Sequence, residues 1–175
     1  MFKILIPLIT LIFMSGCANN PTPEKKLPIY TKYYKALFDK CNIKEMSETF
    51  ECEDKNITDN DLIMINFSQF TQIKNLNLSH NKLTRIPSGI SNMAQLQELN
   101  LSYNNIQYPT TLLDNMFSLK KLDLSNNHMK IFNKDTIFGI SLEELDLRYN
   151  DLDYLNPEVF KIDTVLIDKS VKTGV

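Results

Sequence analysis

The sequence predicts an α/β solenoid: a short arc of stacked turns, with a parallel sheet of about six strands on the concave face and irregular or short helical segments on the convex side. Three observations predict it. Segments beginning at Ile73, Leu96, Leu119 and Leu142 are self-similar, and their starts lie 23 residues apart three times running. Within each, two leucines stand two places apart, so both side chains fall on one side of a short strand. An Asn recurs at the ninth place of every segment. A fixed period of this length marks a chain in which each unit buries its apolar face only by stacking on its neighbours.

The strands come first. Leu76 and Leu78, Leu99 and Leu101, Leu122 and Leu124, and Leu145 and Leu147 supply one continuous core. The ninth-place residues Asn81, Asn104, Asn127 and Asn150 leave their strands turning inward, where their amides can satisfy backbone groups of neighbouring turns. An unpaired buried backbone group costs roughly 1–3 kcal/mol, so a structural Asn ladder is expected rather than a catalytic one. The return segments carry the anchors Ile86 and Ile90, Leu112 and Met116, Phe132 and Phe138, and Leu155 and Phe160. Pro87, Pro109 and Pro157 suit irregular or short helical turns there. All four segments begin L-x-x-L-x-L-x-x-N-x-L, allowing Ile73, Ile106 and Met129 in leucine places. This pattern closely resembles the leucine-rich repeat family. The resemblance implies a binding module rather than an enzyme, with the outward strand residues as its contact face.

Residues 1–16 read MFKILIPLITLIFMSG, in which Lys3 precedes an apolar run and small residues close it. This is the layout of a secretory signal peptide, and the run is too short to span a bilayer as a helix. Met14-Ser15-Gly16-Cys17 resembles the bacterial lipobox, which implies cleavage before Cys17 and its lipidation. Several acyl chains on one residue would anchor the chain firmly. Ala18 follows the cysteine where Asp would signal inner-membrane retention, so the resemblance points to the outer membrane if the cell has one. The expected location is the bacterial cell envelope. Residues 17–30, polar and carrying Pro21 and Pro23, read as a lipidated tether.

An N-terminal cap is expected over 31–58. Thr31 to Asp39 (TKYYKALFD) looks like a short amphipathic helix, and Phe50, Cys52 and Ile57 match Leu76, Leu78 and Leu83 shifted by 26. With Cys17 lipidated, Cys41 and Cys52 are the natural disulfide pair in a secreted chain; two reduced, packed thiols are the other reading. Cysteine-stapled N-caps in extracellular leucine-rich repeats agree with the pairing. Repeats then run over 59–175. The last is degenerate, with Ile162, Val165 and Ile167 at a shortened spacing of 20 and Ser170 in the ladder place. The final strand edge is therefore the expected weak point or pairing site.

Three columns of side chains should line the concave face. Glu51, Asn77, Asn100, Asp123, Asp146 and Leu166 stand between the core positions. Thr49, Asn75, Glu98, Lys121, Glu144 and Thr164 precede them, and Asp54, His80, Tyr103, Asn126, Tyr149 and Lys169 follow. Neighbours in a column should lie within roughly 5 Å. Asp123 beside Asp146 forms a like-charge pair that a cation or a basic partner would relieve. Tyr103, Tyr149 and His80 are amphipathic groups suited to partner contacts. The expectation is a polar, mildly acidic face binding a protein or peptide with basic groups; solvated face residues without a partner are the other reading. The candidate contacts are Asn77, His80, Asn100, Tyr103, Lys121, Asp123, Glu144, Asp146 and Tyr149.

Composition limits other functions. The formal charge is −2, with 19 basic against 21 acidic residues and no basic cluster, which speaks against nucleic acid. None of the four glycines belongs to a phosphate-binding loop, and no GxSxG or HExxH occurs. His80 and His128 sit two repeats apart in different columns, and no Cys cluster completes a metal site, so neither cofactor nor metal is expected. Asp123 and Asp146 on a shallow, solvated face would not act as an acid/base dyad. The leading expectation is a lipid-anchored binding protein of an envelope. The alternative is a periplasmic structural or inhibitory envelope component.

Overall fold

The computed structural model describes residues 29–41, 47–108, 113, 116–132 and 142–173. The expected signal peptide, Cys17, and the anchors Leu112 and Phe138 lie outside these residues. The described residues begin with α1 (Ile29–Cys41), longer at both ends than the expected helix, so it enters the stretch assigned to the tether. Six three-residue strands follow at solenoid spacing: β1 (Thr49–Glu51), β2 (Asn75–Asn77), β3 (Glu98–Asn100), β4 (Lys121–Asp123), β5 (Glu144–Asp146) and β7 (Thr164–Leu166). A short helix α2 (Asp59–Leu62) follows β1. Two further short strands, β6 (Tyr154–Leu155) and β8 (Lys172–Thr173), pair parallel on the convex side.

The main sheet is parallel throughout, in the order β1-β2-β3-β4-β5-β7. Its register is the one the repeat sets: Phe50 opposite Leu76, Leu76 opposite Leu99, Leu122 opposite Leu145, and Leu145 opposite Val165. The inward leucines are buried without exception, as are Phe50, Cys52 and Ile57 in the cap turn. Cys41 and Cys52 form a disulfide with their Cα atoms 4.5 Å apart, which closes α1 over the first turn. Leu37 reaches the core from the same helix, with Tyr34 and Phe38 packed against it. The Tyr34 hydroxyl donates to the Asn66 carbonyl and accepts from the Asn66 amide, fixing α1 to the turn before β2.

The four ladder residues each reach one turn back. Asn104 Oδ1 accepts from the Leu83 amide at 2.9 Å, while its Nδ2 donates to the carbonyls of Leu78 and Leu101 at 3.0 and 3.1 Å. Asn127 and Asn150 repeat this with Ile106 and Met129 as donors. Asn81 serves the cap, accepting from the amides of Lys55 and Ile57. Ser170 is exposed and extends no such bond.

One anchor differs from expectation. Phe160 is 40 % exposed, and Val159 is fully buried in its place. The residues Pro157–Lys161 form a 3-10 helix after the Asn156 cap, whose turn brings Val159 inward and leaves Phe160 outside. In the second repeat Leu113 is buried.

Candidate partner-binding face

The concave face holds a shallow groove of about 410 Å³, running from Thr49 and Glu51 at one end to Glu144 and Asp146 at the other. Short strands in parallel register build it, and each turn contributes one residue to each column. The structure brings Asn77, Asn100, Lys121, Asp123, Glu144 and Asp146 to its wall.

Four of these also perform a local task that sequence reasoning missed. Asn77 Oδ1 accepts from the Ser79 amide at 3.0 Å, and Asn100 Oδ1 from the Ser102 amide at 2.9 Å. Asp123 Oδ1 does the same with Ser125, and Asp146 Oδ1 with Arg148. Each is an Asx turn that bends the chain out of its strand. One oxygen per residue is thereby committed to its own backbone. The signal was present, since Asn or Asp stands two places before Ser in three successive repeats.

Asp123 and Asp146 are register partners, as expected. Asp146 has a cation within the chain. Arg148 Nη2 lies 2.6 Å from Asp146 Oδ2 and its Nε 3.0 Å from Oδ1. This hydrogen bond raises the Arg148 pKa further above its ordinary value, with smaller help from Asp123. Arg148 thus offsets one of the two in-register charges from within the chain. Asp146 is also buried rather than solvated, at 7 % exposure. Lys121 Nζ lies 3.6 Å from Glu144. Among the described residues, Glu51 and Glu98 line the groove without an ion pair.

The third column rims the groove. His80 and Tyr103 stack with ring centroids 4.1 Å apart and planes 11° from parallel. His80 Nε2 lies 4.0 Å from Glu53. Tyr149 is not part of the stack, because Asn126 occupies the intervening turn; it stands 63 % exposed. Asp54, His80, Tyr103, Asn126 and Tyr149 all have φ between 52° and 58°. That left-handed conformation costs a residue with a side chain roughly 1 kcal/mol or more. Its recurrence in successive turns ties the strain to the repeat's exit from the strand, where the ladder Asn that follows pins the backbone. The conformation lifts each side chain onto a ledge, and a second depression of about 410 Å³ opens beside the His80–Tyr103 pair.

His80 and His128 remain apart, His128 Nδ1 lying 3.6 Å from Asp151. Among the described residues no group of three or more His, Cys, Asp or Glu could hold a metal ion. No helix among them is long and apolar enough to cross a membrane.

A stacked parallel sheet with an inward Asn ladder defines a repeat solenoid whose exposed concave surface suits macromolecular contact. The leucine rich repeat family model matches residues 56–106 and 109–161, and the chain belongs to this family. Among solved structures it is similar to InlP of Listeria monocytogenes, with 28 % identity and a TM-score of 0.52 over 67 % of this chain and 31 % of that one. InlJ of Listeria monocytogenes, whose functional domain includes a cysteine ladder, matches at 18 % identity and TM-score 0.49 over 71 % of this chain and 31 % of that one. The leucine-rich repeat domain of APL1B matches at 26 % identity and TM-score 0.46, over 51 % and 27 %. The chain thus spans about a third or less of the length of each. No curated protein sequence matches it.

Proposed function

We propose that this chain is a membrane-anchored protein-binding module that engages a protein or peptide carrying basic groups on its concave face. The groove carries the reading. It presents polar side chains on a backbone fixed by the ladder, so little entropy is lost on binding. Glu51 and Glu98 supply unpaired negative charge along it, while the internal Arg148–Asp146 and Lys121–Glu144 pairs leave few free cations to oppose a basic partner. The stacked His80 and Tyr103 add a rigid amphipathic contact at the rim. Repeat solenoids commonly present such extended concave surfaces to partners.

The anchor in this reading is lipidated Cys17, supported by the lipobox-like Met14-Ser15-Gly16 that precedes it. The location is the bacterial cell envelope, in the outer membrane where the cell has one. The test is crosslinking capture from cells by the intact chain and by a Glu98→Lys/Tyr103→Ala variant. Loss of a specific captured protein in the variant, with unchanged circular dichroism, supports the face assignment. Undiminished capture overturns it. Labelled fatty acid entering the native chain but not Cys17→Ser tests the anchor separately.

A further inference from the structure

The carboxylates on the two inner columns of the concave face are not equivalent. Glu144 lies beside Lys121, and Asp146 is closed by Arg148. Glu51, Glu98 and Asp123 line the same groove and have no ion pair among the described residues. Glu51 and Glu98 are exposed, and Asp123 is half-buried. Asp123 commits Oδ1 to the Ser125 amide of its own turn. Glu51 and Asp123 share one column, through Asn77 and Asn100, whereas Glu98 belongs to the other. The uncompensated charges therefore alternate across the groove: one side at β1, the opposite side at β3, and the first side again at β4.

The parallel sheet turns this pattern into distances. Neighbouring strands lie about 4.8 Å apart, which puts Glu98 about 10 Å and Asp123 about 14 Å along the groove from Glu51. An extended peptide laid across the strands advances about 3.4 Å per residue and turns successive side chains to opposite sides. Three residues of it cover about 10 Å, and four cover about 14 Å. An odd step reaches the side on which Glu98 stands, and an even step returns to the side of Glu51 and Asp123. Spacing and sidedness thus agree at both positions. We propose that the groove takes an extended peptide segment with basic residues at positions i, i+3 and i+4, facing Glu51, Glu98 and Asp123. The proposal rests on the concave face being the site for a basic partner, as inferred above, and gives that partner a pattern. Lys and Arg carry their charge on long stems, which absorb the remaining offset. Lys121 follows Glu98 in the same column and disfavours a further basic side chain on that side. A segment running the other way across the strands presents the same pattern as i, i+1 and i+4.

The test uses the full chain in mild detergent and two fluorescent peptides of identical composition. One contains Lys-Thr-Ser-Lys-Lys; the other contains Lys-Thr-Lys-Ser-Lys, whose lysines all fall on one side. Anisotropy titrations are made at low ionic strength, where screening is weak. The first peptide is expected to bind about threefold tighter, the worth of one exposed ion pair. Glu98→Gln should remove this difference by weakening the first peptide and leaving the second unchanged. Residue 98 is exposed, so the variant folds, and circular dichroism verifies it. Equal affinity of the two peptides for the native chain overturns the pattern and leaves only an unpatterned basic partner. A preference that survives Glu98→Gln overturns it as well. Binding of neither peptide above a control with Ala in place of Lys overturns the pattern together with the reading of the face on which it rests.

Discussion

The Arg148 guanidinium closes on the Asp146 carboxylate two residues before it, with Nη2 2.6 Å from Oδ2 and Nε 3.0 Å from Oδ1. In the three preceding repeats Ser occupies the place of Arg148. The substitution answers a problem local to this turn, where two carboxylates stand in register and one of them is buried. Arg148→Ala should lower the thermal midpoint, since it strands Asp146 beside Asp123. Asp146→Asn should cost less, because the amide oxygen can still accept from the residue 148 amide. The double substitution should be milder than Arg148→Ala alone. Thermal melts of the three variants check the ranking, and additive losses would show that the pair does not interact.

The ladder predicts a gradient of sensitivity. Asn104 is buried and satisfies the Leu83 amide and the Leu78 and Leu101 carbonyls. Asn104→Ala leaves these groups without partners and should cost about 3–5 kcal/mol in urea unfolding. Asn150 is only half-buried near the last turn, so Asn150→Ala should cost about half as much. Equal losses would count against this account of the ladder.

Val159 and Phe160 offer a sharp comparison. Val159→Ala should destabilise by about 2 kcal/mol, as deletion of buried methyl groups does. Phe160→Ser should stay within about 0.5 kcal/mol, as an exposed substitution does. A sequence reading that buries the larger residue expects the reverse order, and chemical denaturation of both variants decides it.

Asp61 gives the fold a titrating contact. Burial alone would raise its pKa, but hydrogen bonds from Lys40 and from the Thr58 side chain and backbone outweigh this and lower it below 3.8. Its folded pKa is depressed, so its stabilising contribution is present above the unfolded value and fades as pH falls through the folded one. Lys40 belongs to α1 and lies 2.8 Å away, so the contact tethers the cap helix to α2. The native chain should exceed Asp61→Asn in urea midpoint at pH 7, and the gap should narrow below about pH 4. A gap that is constant down to pH 2 would refute the linkage.

The fold was legible because the repeat spells it out in residues that have no alternative use. Paired leucines at a constant period, each pair followed by an Asn, admit one stacking arrangement, and the register of the main sheet follows directly. Legibility failed where the period did. Between Leu145 and Val165 the spacing shortens to 20, and there the helical turn at Pro157 exchanged Val159 for Phe160 and β6 paired with β8 unannounced. The face was legible as columns but not as contacts. That Asp146 would turn to Arg148, or His80 lie flat on Tyr103, depends on side-chain torsions that a one-dimensional pattern does not carry.

Each ladder Asn binds the turn before it, and the disulfide holds the first of those turns to α1. The molecule consequently has a mechanical polarity. Tension applied from the Val171 side meets Ser170, which holds nothing behind it, and can peel the turns off one after another. Tension from the opposite end must first carry the covalently closed cap. An attachment that carries tension at the N-terminal side would therefore spare the groove, whereas a pull on whatever lies at the far edge would open it strand by strand.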